Sequence, residues 1–220
     1  RLAEQLINEN KTEKAKKVMD LAIEKMPLDY FGYYSLLVPF VDGYYRINDV
    51  KVAQDLSKKI GYKYFDRLEY FNSLSAERQY ELGEEIVTEI ERYRSLIEAE
   101  LKHADKSDLK PSLNNFTTAI RPFKYLYGDY EFYTNLVDVA EGFFIIGDIQ
   151  SAQNLSIQIA NEYSERMELY AQFPISNRAQ LKDRIENEWV AYNYFLQIVN
   201  KYDNSEFFKK LETQYNQNVV

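Results

Sequence analysis

Cysteine is absent from all 220 residues, so neither a disulfide framework nor a thiolate metal site is available to this chain. Only 5 prolines and 7 glycines occur, too few for an all-β fold rich in turns and too few for a disordered chain. Basic charge is also scarce: 27 Lys and Arg face 35 Asp and Glu, for a net charge of −8 and a pI near 4.9. No basic stripe lies along the chain, which argues against a nucleic-acid backbone as partner. Long apolar runs are missing too. The longest, around Gly142–Ile146, falls far short of the ~20 residues that cross a bilayer, so no membrane insertion by this segment is expected. Histidine occurs once, as His103.

What remains is 45% hydrophobic and 28% charged, the balance of a folded globular protein with a sizeable core. The chain opens on Arg1, already inside a helical pattern. It reads as a fragment or processed product, from which targeting information has been cut away.

The dominant pattern is a gap-free internal similarity at an offset of ninety-nine residues. The run Gly43-Tyr44-Tyr45 through Asn48-Asp49 to Ala53-Gln54-Asp55-Leu56-Ser57 lines up with Gly142-Phe143-Phe144 through Gly147-Asp148 to Ala152-Gln153-Asn154-Leu155-Ser156. Downstream, Ile60, Tyr64, Arg67, Glu69, Leu82, Ile86, Glu89 and Tyr93 recur as Ile159, Tyr163, Arg166, Glu168, Leu181, Ile185, Glu188 and Tyr192. Self-similarity at a fixed period predicts a repeat architecture built by duplication.

The period within each copy is helical. Leu82, Ile86, Ile90, Tyr93, Ile97 and Leu101 step by three and four, one stripe down a helix, with Ser75 placed as N-cap and Glu77 in the first turn. Asn48 and its counterpart Gly147 are the residue types that best tolerate a left-handed backbone after a helix end, and Asp49 and Asp148 can cap the next helix. Gly61 stands opposite Ala160, so that helix runs on to about Phe71. Pro39 should kink or interrupt its helix.

The expected map is an all-α array of antiparallel helices. A hairpin of Leu2–Asn8 and Thr12–Lys25 leads to a three-helix unit, Tyr30–Arg46, Val50–Phe71 and Ala76–Lys102. A polar linker, His103–Pro111, and a helix from Leu113 to about Leu126 follow. The second unit is Tyr130–Ile146, Ile149–Gln172 and Asn177–Lys201, with a last helix from Glu206 to about Gln217. Residues 1–102 thus form one half and 103–220 the other, in one continuous array. In the first hairpin Ala15, Met19, Ala22 and Pro27 resemble the second helix of a tetratricopeptide repeat, so the array is read as TPR-like.

Candidate sites are few. His103, beside Asp105 and Asp108, has no second histidine and reads as a solvated loop residue. Glu81, Glu85 and Glu89, with Glu84 nearby, share a helix face that could hold a hard cation, but only Glu89 recurs, and a solvated face accounts for the rest. Tyr64, Arg67, Tyr163 and Arg166 recur as pairs. They are expected either to close a helix–helix contact, with Glu69 and Glu168 as charge partners, or to bind a protein or glycan partner. The 20 tyrosines and 13 phenylalanines, in runs such as Tyr30-Phe31-Gly32-Tyr33-Tyr34, either pack between large helices or line a concave face that stacks on sugars or peptides. No phosphate loop, nucleophile elbow or acid/base pair is present, so no catalytic residue and no cofactor is expected.

The stretch Met26-Pro27-Leu28-Asp29-Tyr30-Phe31-Gly32-Tyr33-Tyr34, with Gly43-Tyr44-Tyr45, Asn48-Asp49, Ala53 and Phe71-Asn72-Ser73-Leu74, resembles the C-terminal helical-repeat tail of large bacterial multi-pass membrane proteins. Their membrane part is similar to GT-C glycosyltransferases and protein O-mannosyltransferase relatives. The resemblance implies a periplasmic tail, tethered to the inner membrane by the parent protein, that positions protein or glycan partners. No catalytic residue carries over, because the acid and the lipid-linked sugar site of such a family lie in the membrane portion. The other expectation is a free-standing cytoplasmic TPR-type adaptor.

Overall fold

In the computed structural model, residues 1–28, 33–103, 109–127 and 131–219 are described, and they are helical almost throughout. The chain divides into two compact units, Arg1–Leu126 and Tyr127–Val220. Within each, helices pack on their neighbours in sequence, as in a helical-repeat arrangement.

Unit 1 begins with the hairpin of α1 (Leu2–Asn8) and α2 (Thr12–Lys25), followed by a 3-10 turn (Tyr33–Leu37) that runs into α3 (Val38–Arg46). Then come α4 (Val50–Asn72), the short α5 (Ala76–Glu81), α6 (Gly83–His103), α7 (Leu109–Ile120) and a second 3-10 turn (Arg121–Leu126). Helix α3 packs on α4 and α6, and α7 closes the far side against α4 and α6. Unit 1 ends at Leu126. Unit 2 holds α8 (Glu131–Ile145), α9 (Ile149–Gln172), the short α10 (Ile175–Gln180), α11 (Lys182–Tyr202) and α12 (Glu206–Val219), with α9 packed against α8, α11 and α12.

The tight turns rest on three residues with positive φ, Asn10 (56°), Asn48 (62°) and Gly147 (79°). Each closes its helix with the same two bonds. Asn10 N–H donates to Ile7 and Lys11 N–H to Leu6; Asn48 to Tyr45 and Asp49 to Tyr44; Gly147 to Phe144 and Asp148 to Phe143. This pair of bonds satisfies carbonyls that a helix end otherwise leaves bare. Beyond the turn, Asp148 caps α9 by accepting from Ser151 N–H at 3.2 Å, as its position predicts. Asp49 makes no such cap, because Lys16 of α2 takes its carboxylate instead.

Four further expectations need correction. The single helix expected over Ala76–Lys102 breaks at Leu82 (φ −96°, ψ 12°), with Ser75 capping only the short α5. Asn177–Lys201 likewise breaks at Leu181 (φ −97°, ψ 6°) and starts earlier, at Ile175 behind Pro174. Lys182 follows the second break where Gly83 follows the first, so the break does not depend on a glycine. The expected helix at 113–126 begins at Leu109, with Pro111 in the first turn where its missing N–H costs nothing, and tightens to 3-10 geometry around Pro122. Pro39 lies in the first turn of α3, directly after a 3-10 segment, so the interruption falls ahead of it. The starts expected at Tyr30 and Tyr130 lie outside the described residues.

The core absorbs most of the described aromatic rings. Tyr44, Tyr64, Phe71, Phe116 and Phe123 in unit 1 and Tyr163, Tyr192 and Phe195 in unit 2 are fully enclosed, each contributing about 1.5–3 kcal/mol by leaving water. The one tryptophan, Trp189 on α11, stays half exposed beside exposed Val190 and Tyr194.

Candidate functional site

Tyr64 and Tyr163 are fully buried at the centre of ring ladders. In unit 1, Tyr34 meets Tyr64 edge-on at 4.8 Å, Tyr64 stacks on Tyr93 at 5.2 Å, and Tyr93 meets the edge of Phe116 at 5.1 Å. In unit 2, Tyr133, Tyr163 and Tyr192 follow one another at 6.5 and 5.2 Å. Such contacts add about 0.5–1.5 kcal/mol each to burial itself, so these tyrosines tie helices together.

The arginines diverge. Arg67 lies over the Phe71 ring at 4.8 Å, bonds Glu85 of α6 and keeps 45% of its side chain exposed. Arg166, buried, lies over Tyr163 at 4.9 Å and donates Nε–H to Glu188 Oε2 at 2.9 Å. Glu69 and Glu168, the charge partners expected from the sequence, are exposed and take no part, since residues two apart on a helix point to different sides. Of the four residues singled out, only Arg67 presents itself at a surface cleft.

That cleft, about 490 Å³, belongs to unit 1 and is lined by Tyr34, Arg67, Glu84, Glu85, Thr88, Glu89 and Arg92. Three elements build it: the first 3-10 turn, α4 and one face of α6, whose steps of three and four bring residues 84, 85, 88, 89 and 92 together. Thr88 Oγ1 donates back to the Glu84 carbonyl at 2.7 Å, which holds that turn of the face. Glu89 forms the floor and is only 6% exposed. Its Oε1 accepts from the Tyr34 hydroxyl, and Arg92 NH1 stands 3.8 Å away on the Oε2 side, too far for a hydrogen bond. Burial pushes the Glu89 carboxyl above its usual range, with Arg92 only partly opposing.

The corresponding carboxylate of unit 2 has a full set of partners. Glu188 is completely buried, with Arg166 on Oε2, the Tyr170 hydroxyl on Oε1 at 2.6 Å, and Arg184 at 3.7 Å. In unit 1 the positions of Tyr170 and Arg184 are held by Phe71 and Glu85. The first has no hydroxyl to give, and the second draws Arg67 away from the floor. The sequence shows Glu89/Glu188 and Arg67/Arg166 recurring. It does not show that one pair forms and the other does not.

The other candidates resolve separately. His103 is the last residue of α6, not a solvated loop residue: it bonds Asp42 at 2.7 Å and stacks on Tyr45 at 5.5 Å. Partial burial pushes the Asp42 carboxyl up, but bonds from His103 and Lys102 outweigh it and hold it below its usual range. Asp105 and Asp108 lie outside the described residues. The acidic face does not converge: Glu81 goes to Arg78, Glu85 to Arg67 and Glu89 to Tyr34. Among the described residues no group of three or more His, Asp or Glu is placed to hold a metal ion. Most of the tyrosines whose side chains are described are interior, while Tyr62, Tyr70, Tyr80, Tyr125 and Tyr194 are exposed; Tyr30, Phe31 and the Tyr33 side chain lie outside the described set.

Compared with known proteins, the chain matches no family model, no curated protein and no solved structure. The resemblance to the tail of GT-C and protein O-mannosyltransferase-like membrane proteins is therefore withdrawn, and with it the periplasmic, membrane-tethered, glycosyltransferase-associated reading. Among the described residues no helix is long and apolar enough to cross a membrane.

Proposed function

We propose that this chain is a non-catalytic helical-repeat module that binds a segment of a protein partner, with the unit 1 cleft as its binding place. The observation that carries the reading is the cleft itself: an open, polar hollow on a helical face, floored by a carboxylate with acceptor capacity to spare. Small-molecule pockets are mostly apolar and enclose their ligand, whereas this one suits a side chain projecting from an extended segment. The finer architecture belongs to the same proposal. The two units are copies of one TPR-like module, supported by the ninety-nine-residue identities and by helix limits at the same offset, Ala76–Glu81 with Ile175–Gln180 and Gly83–His103 with Lys182–Tyr202.

The test is selection of a random dodecapeptide display library against the whole chain, with hydrogen exchange to locate the bound peptide. Enriched peptides that protect residues 84–92 of α6 are expected. No enrichment, or protection only elsewhere, would overturn the reading.

A further inference from the structure

The clue to what enters the cleft is the different fate of the same carboxylate in the two units. In unit 2 the chain supplies its own occupant, the Arg166 guanidinium, seated on Glu188 at 2.9 Å and lying over the Tyr163 and Tyr133 rings. In unit 1 the carboxylate and the two rings of that seat are retained, while Phe71 and Glu85 replace Tyr170 and Arg184 and no guanidinium is hydrogen-bonded to the carboxylate. Glu89 is buried in place of Glu188, and Tyr64 and Tyr34 stand in place of Tyr163 and Tyr133. Arg67 has turned outward to Glu85. Glu89 Oε2 accepts no hydrogen bond from any described residue; its nearest cation, Arg92 NH1, stays 3.8 Å away, and the carboxylate borders the open cleft.

We infer that the unit 1 cleft receives the basic side chain of a partner, an arginine or lysine, whose charged head seats on Glu89 where Arg166 seats on Glu188 within the chain. This rests on the proposed binding function and specifies its partner as a basic segment.

The balance of charge supports a cation over an anion. Arg67 and Glu85 cancel as a pair, which leaves the carboxylates of Glu84 and Glu89 against the single guanidinium of Arg92. Arg92 is 53% exposed and makes no hydrogen bond to Glu89, and Ala191 stands at its place in unit 2. A buried carboxylate with one neutral donor is a costly arrangement that a charged, multidentate donor relieves. Over longer range, the net charge of −8 favours encounter with a basic segment. Glu84 at the rim adds a second contact for a guanidinium, whose five donors can span both levels.

The experiment is an NMR titration of the whole chain with three synthetic pentapeptides, acetyl-Gly-Ser-Xaa-Ser-Gly-amide, with arginine, its neutral isostere citrulline, or aspartate at Xaa. With arginine, saturable shifts at Tyr34 and residues 84–92 are expected, weakened about tenfold or more by the change to citrulline, the loss of one charge-assisted hydrogen bond. Glu89→Gln should weaken the arginine peptide by a similar factor and Thr88→Phe, which fills the cleft, should abolish its binding. Glu98→Gln, removing an exposed acid of the same helix that is not in the cleft, should leave it within about twofold. Equal binding of arginine and citrulline peptides, preference for aspartate, or equal loss from Glu98→Gln and Glu89→Gln would each overturn the inference. Should the display selection yield cleft-protecting peptides while arginine and citrulline bind alike, only the basic-partner inference falls. Should no library peptide bind, the binding function falls with it.

Discussion

Two glutamates at matching positions do opposite things, and the difference lies in single atoms on neighbouring side chains. Glu188 has Arg166 and Tyr170 within hydrogen-bonding distance, whereas Glu89 has Tyr34 and faces the cleft. Removing one partner of a buried ion pair leaves the other charge uncompensated, at a cost of about 3–5 kcal/mol. Glu188→Gln should therefore destabilise unit 2 by roughly 3 kcal/mol. Glu89→Gln, which keeps an acceptor for the Tyr34 hydroxyl and strands no partner, should cost less than about 1 kcal/mol. Denaturant midpoints of the two variants check this; equal losses would mean that Glu89 is as tightly paired as Glu188. The recurrence of Arg67 and Glu89 was legible in the sequence, but their pairing was not. It depends on which side of α4 meets α6, and Glu85 competes for Arg67 from a position that a linear reading assigns only to a solvated face.

At the scale of elements, the turns were the most legible part, because they need a backbone that few residues adopt. Gly147 shows this cleanly: its φ is +79° and an added Cβ would meet nothing within 4 Å. Gly147→Ala should therefore cost about 1–2 kcal/mol through backbone strain alone, while Asn48→Gly should be close to neutral. Thermal melts of the two single variants check the pair, and a neutral Gly147→Ala would remove the argument that strain sets this turn. Helices bounded by such turns, α1, α2 and α9, end where the sequence places them, and the predicted ends of α4 and α8 each miss by one residue. The breaks at Leu82 and Leu181 were not legible, because leucine is a good helix former lying on an unbroken apolar stripe. Gln79 marks one of them after the fact: its side chain donates to the Leu74 carbonyl at 2.8 Å and to Asn72 at 3.2 Å, tying α5 to the end of α4.

For the whole molecule, each unit carries its own core and ring ladder, so the two are expected to lose structure in separable steps. Helical content by circular dichroism should fall in two transitions, with Glu188→Gln moving only one of them. A single transition that shifts as a whole would show that the units melt as one. The same division gives the chain an optical label of its own. Its sole tryptophan stands on α11, next in sequence to Glu188, whereas tyrosines occur throughout both units. Indole emission, excited beyond the tyrosine band, therefore reports the second unit alone, while tyrosine ellipticity in the near ultraviolet sums the two. The gap between the two curves isolates the fate of the unit that holds the cleft, with no dye attached and no residue changed.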